Sequence, residues 1–202
     1  MLLGIDEAGR GCLAGALFVA GVACANHLAQ EFAAQGLKES KQLSRAKRFS
    51  WAQKIQAHKD IQSVVVAKSA EEIDSKGLSV CLQEAIKEIV LGLPQVLSVC
   101  IDGNTLFKLH FPHLKSFQAV IKGDDKIPQI AMASVLAKAH KDQEMIELDK
   151  LYPAYGFATN CGYGTHTHVV ALAKHGYSPA HRYSFKLKST YRWTRLKPEH
   201  RH

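Results

Sequence analysis

The 202-residue chain has no apolar run approaching the roughly 20 residues that a membrane-spanning helix needs. Its opening Met-Leu-Leu-Gly runs into acids at once, too short for the apolar region of a secretory signal. Five cysteines, at 12, 24, 81, 100 and 161, form no C-x-x-C pair, and three lie inside apolar runs, where free thiols behave as small hydrophobes. These absences predict a cytoplasmic protein in a reducing compartment, with no membrane partner. No G-x-S-x-G nucleophile elbow is present, which removes the commonest serine-hydrolase signature. Internal repeats, low-complexity segments and Ser/Gly/Pro linkers are also missing, so one sizeable core is the expectation. Acids are in deficit, 18 against 26 Lys and Arg, giving a formal charge of +8 and a pI near 9.3. That balance favours an anionic polymer or a phosphate-rich partner, although a basic solvated surface would give the same total.

Short β-like runs occur at 2–6, 17–24, 61–67, 96–102 and 117–122, each bounded by Gly, Asp, Asn or Pro. Helical patterns occupy about 44–58, 70–92, 128–151 and 165–175. The alternation reads as α/β. A short gap between the first two strands allows an antiparallel hairpin, and a helical crossover between the third and fourth allows parallel pairing, so a mixed central sheet flanked by helices is expected.

Three acidic positions stand out against this pattern. Asp6 and Glu7 interrupt an apolar strand and run straight into Gly9-Arg10-Gly11, and a carboxylate at the end of a buried strand costs several kcal/mol unless a cation or a proton meets it. Asp102 ends the run Val96-Leu97-Ser98-Val99-Cys100-Ile101 in the same way, although an Asp before Gly103-Asn104 is by itself a common turn former. Asp124 follows another apolar run and precedes a helix with Pro128 in its first turn, where a helix cap is the ordinary role. Strand-end acids can meet at one rim of an α/β sheet. Clustered carboxylates without His or Cys ligands suit a hard cation such as Mg²⁺ or Mn²⁺. An acidic metal site in a basic protein points to phosphodiester chemistry, in which two divalent ions replace a protein nucleophile. On the helix beyond Asp124, Ser134, Lys138 and Asp142 share a face at i, i+4 spacing, and the plain reading is a local Lys-Asp pair.

The chain resembles the ribonuclease HII family across nearly its whole length. In order, the matching pieces are Asp6-Glu7-Ala8-Gly9-Arg10-Gly11, Leu37-Lys38-Glu39-Ser40-Lys41-Gln42-Leu43, Glu72-Ile73-Asp74, Ile101-Asp102-Gly103-Asn104, Lys122-Gly123-Asp124, Ala133-Ser134-Val135-Leu136-Ala137-Lys138, Tyr155-Gly156-Phe157, Gly162-Tyr163-Gly164-Thr165 and His181-Arg182-Tyr183-Ser184-Phe185. The resemblance implies a ribonuclease H-like fold and endonucleolytic hydrolysis of the RNA strand in RNA/DNA hybrids and at ribonucleotides embedded in duplex DNA, leaving 3′-hydroxyl and 5′-phosphate ends. It implies that Asp6, Glu7, Asp102 and Asp124 are catalytic and hold two divalent ions. It also implies that the Gly9-Arg10-Gly11 backbone and Tyr163 sense the ribose 2′-hydroxyl, the group that tells RNA from DNA. Ser40, Lys41, Asn104, Lys122, Lys138 and Arg182 are further substrate-binding candidates, the basic ones through phosphate contacts or by supporting the site. Family precedent is a monomer. Residues 1–180 are expected to form the catalytic domain and 181–202 a basic, helical C-terminal extension contributing to substrate binding. From Arg182 onward seven Lys or Arg face one acid, interleaved with Tyr183, Phe185, Tyr191 and Trp193. Three departures from the family pattern are Cys12 and Gly164, where proline is usual, and Gly77, where asparagine is common.

Two other classes compete with this reading. Gly9-Arg10-Gly11-Cys12-Leu13-Ala14 fits the dinucleotide fingerprint of an oxidoreductase, with Glu31 about 20 residues on, but that motif must open a helix, and residues 17–22 read as another strand. A non-catalytic nucleic-acid-binding module fits the charge but leaves the strand-end acids unexplained. Zinc held by Cys161, His166, His168 and His175 lacks paired ligand spacing.

Overall fold

The computed structural model describes residues 1–38 and 40–186. The expected helical character of the extension, with Tyr191 and Trp193, lies outside the described residues.

Five strands form one mixed sheet: β1 (Leu2–Ala8), β2 (Leu17–Cys24), β3 (Gln62–Lys68), β4 (Ser98–Asp102) and β5 (Ser116–Val120), in the order β3-β2-β1-β4-β5. β1, β2 and β3 form an antiparallel meander, while β4 runs parallel to β1 and β5 parallel to β4. The expected pairing of β3 with β4 does not occur, because two strands stand between them. The helical crossover carries the chain from the β3 edge across the sheet, and β4 finds its parallel partner in β1.

That crossover is two helices, α3 (Ala70–Lys76) and α4 (Leu78–Gly92), rather than one over 70–92. Ser69 and Glu72 close a capping box at the start of α3, and Gly77 ends it at φ +84°, a backbone state that a side chain would oppose. Earlier in the chain, α1 (Asn26–Ala34), which the hydrophobic pattern did not single out, buries Leu28, Ala29 and Phe32, and α2 (Arg45–Ala57) starts at the Ser44 cap. Later come the one-turn α5 (Gly123–Lys126), the long α6 (Pro128–Leu151), the short α7 (Phe157–Asn160) and α8 (His166–His175), whose first turn is capped by Thr165.

Alternate residues of the central strands serve two cores. Leu3, Ile5, Leu17 and Val19 pack with α4, while Ala8, Ala20 and Val22 pack with α1, α2 and α6. Within α6, Ala131, Ala133, Ala137 and Ala139 are all buried, and these small side chains let the helix lie close on the sheet. At Gly4 the approach is closest: an added Cβ would lie 2.3 Å from the Gln129 carbonyl carbon. Among the described residues no helix is long and apolar enough to cross a membrane.

Residues 181–186 are not detached from the domain. His181 bridges to Ala14 in antiparallel fashion, and His181 and Arg182 are both buried. The boundary expected at 180 therefore cuts through packed structure.

Candidate active site

The register of the parallel strands brings the acids to one rim. Ile5 of β1 pairs with Ile101 of β4, so Asp6 and Asp102 follow side by side. Asp102 pairs with Val120 at the end of β5, and four residues later the chain reaches Asp124 in the first turn of α5. Three neighbouring parallel strands thus deliver their C-terminal ends to the same edge, the usual location of α/β sites.

Asp6 lies on the sheet face covered by α6 and is 7% exposed. Its Oδ1 accepts the Glu7 backbone N–H at 2.7 Å, and its carboxyl also bonds the Ser134 hydroxyl. Burial, the Glu7 charge and the Asp102 charge together push its pKa from 3.8 up to about 8, against the opposing pull of those hydrogen bonds. Burial also raises the Glu7 carboxyl, opposed by Arg10, whose Nη1 lies 3.4 Å from Glu7 Oε1. Asp102 Oδ1 accepts the Gly123 N–H at 2.7 Å, which ties β4 to the start of α5 and holds the neighbouring Asp124 at this rim. Asp124 also lines a cavity of about 210 Å³ with Lys38, Gln42 and Lys126.

Asp6, Glu7 and Asp102 therefore share one electrostatic environment, in which ionisation of the first two is opposed by burial and by neighbouring charge, that of Glu7 and Asp102 for Asp6 and that of Asp102 for Glu7. A cation would relieve that cost. The donors are hard carboxylate oxygens, the set that Mg²⁺ and Mn²⁺ prefer, so the residues fit such ions. Among the described residues, no three His, Cys, Asp or Glu side chains close into a metal cage.

Beside the acids, Arg10 and Gly11 are exposed in a turn that buried Gly9 enters at φ +89°. The Tyr163 ring, 45% exposed, stands next to it, its edge 3.9 Å from where a Cβ on Gly11 would sit. Burial and the neighbouring Cys12 thiol raise the Tyr163 phenol to about 12, so its hydroxyl stays protonated at neutral pH. Lys41 is exposed and close enough to act electrostatically on that phenol. Asn104 is exposed in the turn after Asp102, and Lys122 is exposed before α5 in a left-handed conformation, φ +53°.

Other candidates face inward. Ser40 is buried, its Oγ 2.9 Å from that of Ser134, which links the 40–42 turn to the hydroxyl that bonds Asp6. Lys138 reaches Asp142 Oδ1 at 2.7 Å. That pair is more than a surface contact, because Asp142 is fully buried and Arg48 bonds its Oδ2 through Nε and Nη2 at 2.8 and 2.6 Å. Arg48 also donates to the carbonyls of Ser40 and Leu43, so the ion cluster anchors the 40–42 turn from beneath. Arg182, expected to touch phosphate or support the site, is 0% exposed and takes the second role: Nε donates to the Gly15 carbonyl at 2.9 Å and Nη1 to that of Arg10 at 3.3 Å.

Several contributors escaped the sequence reading. Lys141 is buried and donates to the carbonyls of Ala14 and Ala16, while Glu144 accepts the Ala16 N–H at 2.7 Å. Together they fasten the loop between β1 and β2. Only the i, i+4 spacing of Lys138 and Asp142 signalled that α6 carries buried charge; nothing local marks Arg48 or Lys141. The competing motifs also find their places. The segment after Gly11 leads into β2, not into a helix N-terminus, so the dinucleotide fingerprint is not realised. His168, a zinc candidate, has both ring nitrogens engaged, with the Tyr163 carbonyl and with His181.

The ribonuclease HII family pattern matches residues 3–188. The chain is 53% identical to ribonuclease HII of Helicobacter acinonychis over 192 residues, covering 95% of this chain and 99% of that one. It is 55% identical to ribonuclease HII of Helicobacter pylori strain G27 over 192 residues, covering 94% and 93%. Among solved structures, the PCNA:RNase HII complex from Archaeoglobus fulgidus superimposes with a TM-score of 0.78 at 28% identity, covering 97% of this chain and 98% of the matched one. With the mixed sheet, this makes the architecture a ribonuclease H-like fold, and the chain belongs to the ribonuclease HII family and is a ribonuclease H enzyme.

Proposed function

We propose that the chain is an endonuclease that hydrolyses the RNA strand of RNA/DNA hybrids and cuts duplex DNA at embedded ribonucleotides, leaving 3′-hydroxyl and 5′-phosphate ends. The observation that carries this reading is the convergence of Asp6, Glu7 and Asp102, with Asp124 next to Gly123, at one rim where burial opposes the ionisation of Asp6 and Glu7. These four carboxylates would hold two Mg²⁺ or Mn²⁺ ions. When bound, such ions would supply the charge neutralisation and water activation that phosphodiester hydrolysis requires.

The protein's own groups do the rest. Ser134 and the Glu7 N–H orient the Asp6 carboxylate, and the Gly123 N–H orients that of Asp102. The turn Gly9-Arg10-Gly11 would present backbone to the sugar, unobstructed by a side chain at exposed Gly11, and Tyr163 offers a neutral phenol and ring face beside it. Lys41, Lys122 and Arg10 lie exposed around the acids, where they would meet phosphates, and Asn104 adds a polar contact. Lys138 and Arg182 act indirectly, through Asp142 and through the Arg10 backbone. Five free thiols suit a reducing cytoplasm, and the resemblance carries the expectation of a monomer.

The test is cleavage of a duplex carrying one ribonucleotide, in Mg²⁺, in Mn²⁺ and in EDTA, with end analysis of the products. Cleavage that needs a divalent ion and leaves a 3′-hydroxyl supports the proposal. Cleavage unaffected by EDTA, or none in either metal, refutes it.

A further inference from the structure

The carbonyl of Tyr163 is held by a chain of hydrogen bonds that ends far from the reacting acids. The Ser178 backbone N–H donates to His181 Nδ1 at 2.9 Å, so that nitrogen is bare and the neutral ring carries its proton on Nε2. At the other end the Tyr163 carbonyl, which can only accept, lies 2.8 Å from His168 Nδ1, so His168 carries its proton there and leaves Nε2 bare. The two Nε2 atoms are 3.0 Å apart. Donor and acceptor therefore match along the whole chain: Ser178 N–H to His181, His181 to His168, His168 to the Tyr163 carbonyl. Both rings are essentially unexposed, and burial lowers both imidazole pKa values, that of His181 to about 4, which keeps the pair neutral.

The same short segment holds the opposing loop. Gly15 N–H donates to the Ala180 carbonyl at 2.7 Å, Arg182 N–H donates to the Leu13 carbonyl at 2.8 Å, and the Arg182 guanidinium reaches the Arg10 carbonyl. Consecutive residues thus hold the two turns assigned above to the sugar: His181, through His168, the Tyr163 turn, and Arg182 the Gly9–Gly11 turn. The family resemblance places 2′-hydroxyl sensing in those turns but gives no role to the histidines.

We infer that His168 and His181 are positioning residues that, with Arg182, fix the Tyr163 ring against the Gly9–Gly11 turn and so set how strictly the enzyme distinguishes ribose from deoxyribose. The inference rests on the function proposed above and adds the residues that tune its specificity. Loss of the His168 donor would leave the Tyr163 carbonyl with only the Thr165 backbone N–H, at 2.8 Å, and loosen the ring without touching the acids.

The experiment compares KM for a duplex with one ribonucleotide with the inhibition constant of the all-DNA duplex of the same sequence. In His168→Phe, which keeps the ring volume and loses both hydrogen bonds, the ratio of inhibition constant to KM should fall by about tenfold, the weight of one or two ordering hydrogen bonds. Affinity for the all-DNA duplex should stay unchanged. A folded His168→Phe protein with an unchanged ratio overturns the inference, even if its melting temperature drops. His181→Asn, which keeps an acceptor for the Ser178 N–H but has no donor reaching His168, should show the same loss and serves if His168→Phe does not fold. Imidazole ¹⁵N spectra of the wild-type protein should show a protonated Nδ1 on His168 and a protonated Nε2 on His181; any other pattern also overturns it. Failure of the wild-type protein to cleave the substrate would instead overturn the proposed function, whereas cleavage with an unchanged ratio in the variants refutes this inference alone.

Discussion

Replacing Asp6 by Asn separates the cost of the acidic rim from its use. Asn keeps an oxygen for the Glu7 N–H and for the Ser134 hydroxyl but has no charge to desolvate. In the wild-type protein without metal, the Asp6 carboxyl keeps its proton up to about 8 when folded and up to 3.8 as its ordinary value. Below 3.8 both states hold the proton and nothing is lost; as pH rises through the window from 3.8 to about 8 the unfolded chain gains by ionising, and stability falls. Each pH unit of that window is worth about 1.4 kcal/mol, so the cost near neutrality is a few kcal/mol. In EDTA the Asp6→Asn protein should therefore melt above the wild type by an amount that grows from pH 5 to pH 8, reaching about 5 °C or more for a chain of this size. Divalent ions should raise the wild-type melting temperature, more at pH 8 than at pH 5, and raise that of the variant much less. Cleavage should be abolished while hybrid binding is largely preserved. Differential scanning fluorimetry across pH and metal, with a cleavage assay, reads all of this. Near-normal turnover in the variant, or melting curves for the two proteins that shift in parallel with pH, would refute the reasoning.

Arg10→Ala should weaken discrimination between ribose and deoxyribose more than overall affinity, measured as the ratio of binding constants for matched duplexes; an unchanged ratio rejects a substrate role for that side chain. Arg48→Met should cost about 3 kcal/mol in urea denaturation, because it strips two donors from the fully buried Asp142 and leaves Lys138 and a weak Cys161 thiol contact. It should also raise KM by releasing the 40–42 turn, and a loss under 1 kcal/mol would show that Lys138 alone suffices. Gly4→Ala should destabilise the fold by about 3 kcal/mol or more, since its Cβ would lie 2.3 Å from the Gln129 backbone and α6 would have to lift off the sheet. A melting temperature equal to that of the wild type would contradict that packing.

Much of the architecture is local in origin, and that part was legible. The span of β2, the start of α6 at Pro128 and the helices near 44–58 and 165–175 follow from alternation and helical period. Their causes lie within a few residues of their effects. The helix break at Gly77 could have been read from a glycine in mid-pattern, whereas α1 is nine residues long with no side-chain cap, no acid in its first turn and no base in its last to mark its ends. The acids were legible for a different reason: a carboxylate ending an apolar strand is costly wherever the strand goes, so Asp6, Glu7 and Asp102 announce themselves as residues in need of a cation.

What no local pattern contains is who stands beside whom. Sequence alone determined that acids end strands, that a Gly-Arg-Gly turn follows the first of them and that the chain resembles ribonuclease HII. Tertiary structure decided that β4 pairs with β1 rather than neighbouring β3, and that register, not spacing, sets Asp6 beside Asp102. It likewise decided that Arg182 is an internal strut, that Asp142 is fully buried between Arg48 and Lys138, and that two histidines 13 residues apart share a hydrogen bond beneath Tyr163. The physical reason is the range of the forces: propensity and capping act over one turn or one strand, whereas desolvation, ion pairing and hydrogen-bond complementarity depend on groups brought together only when the sheet and α6 close on one another.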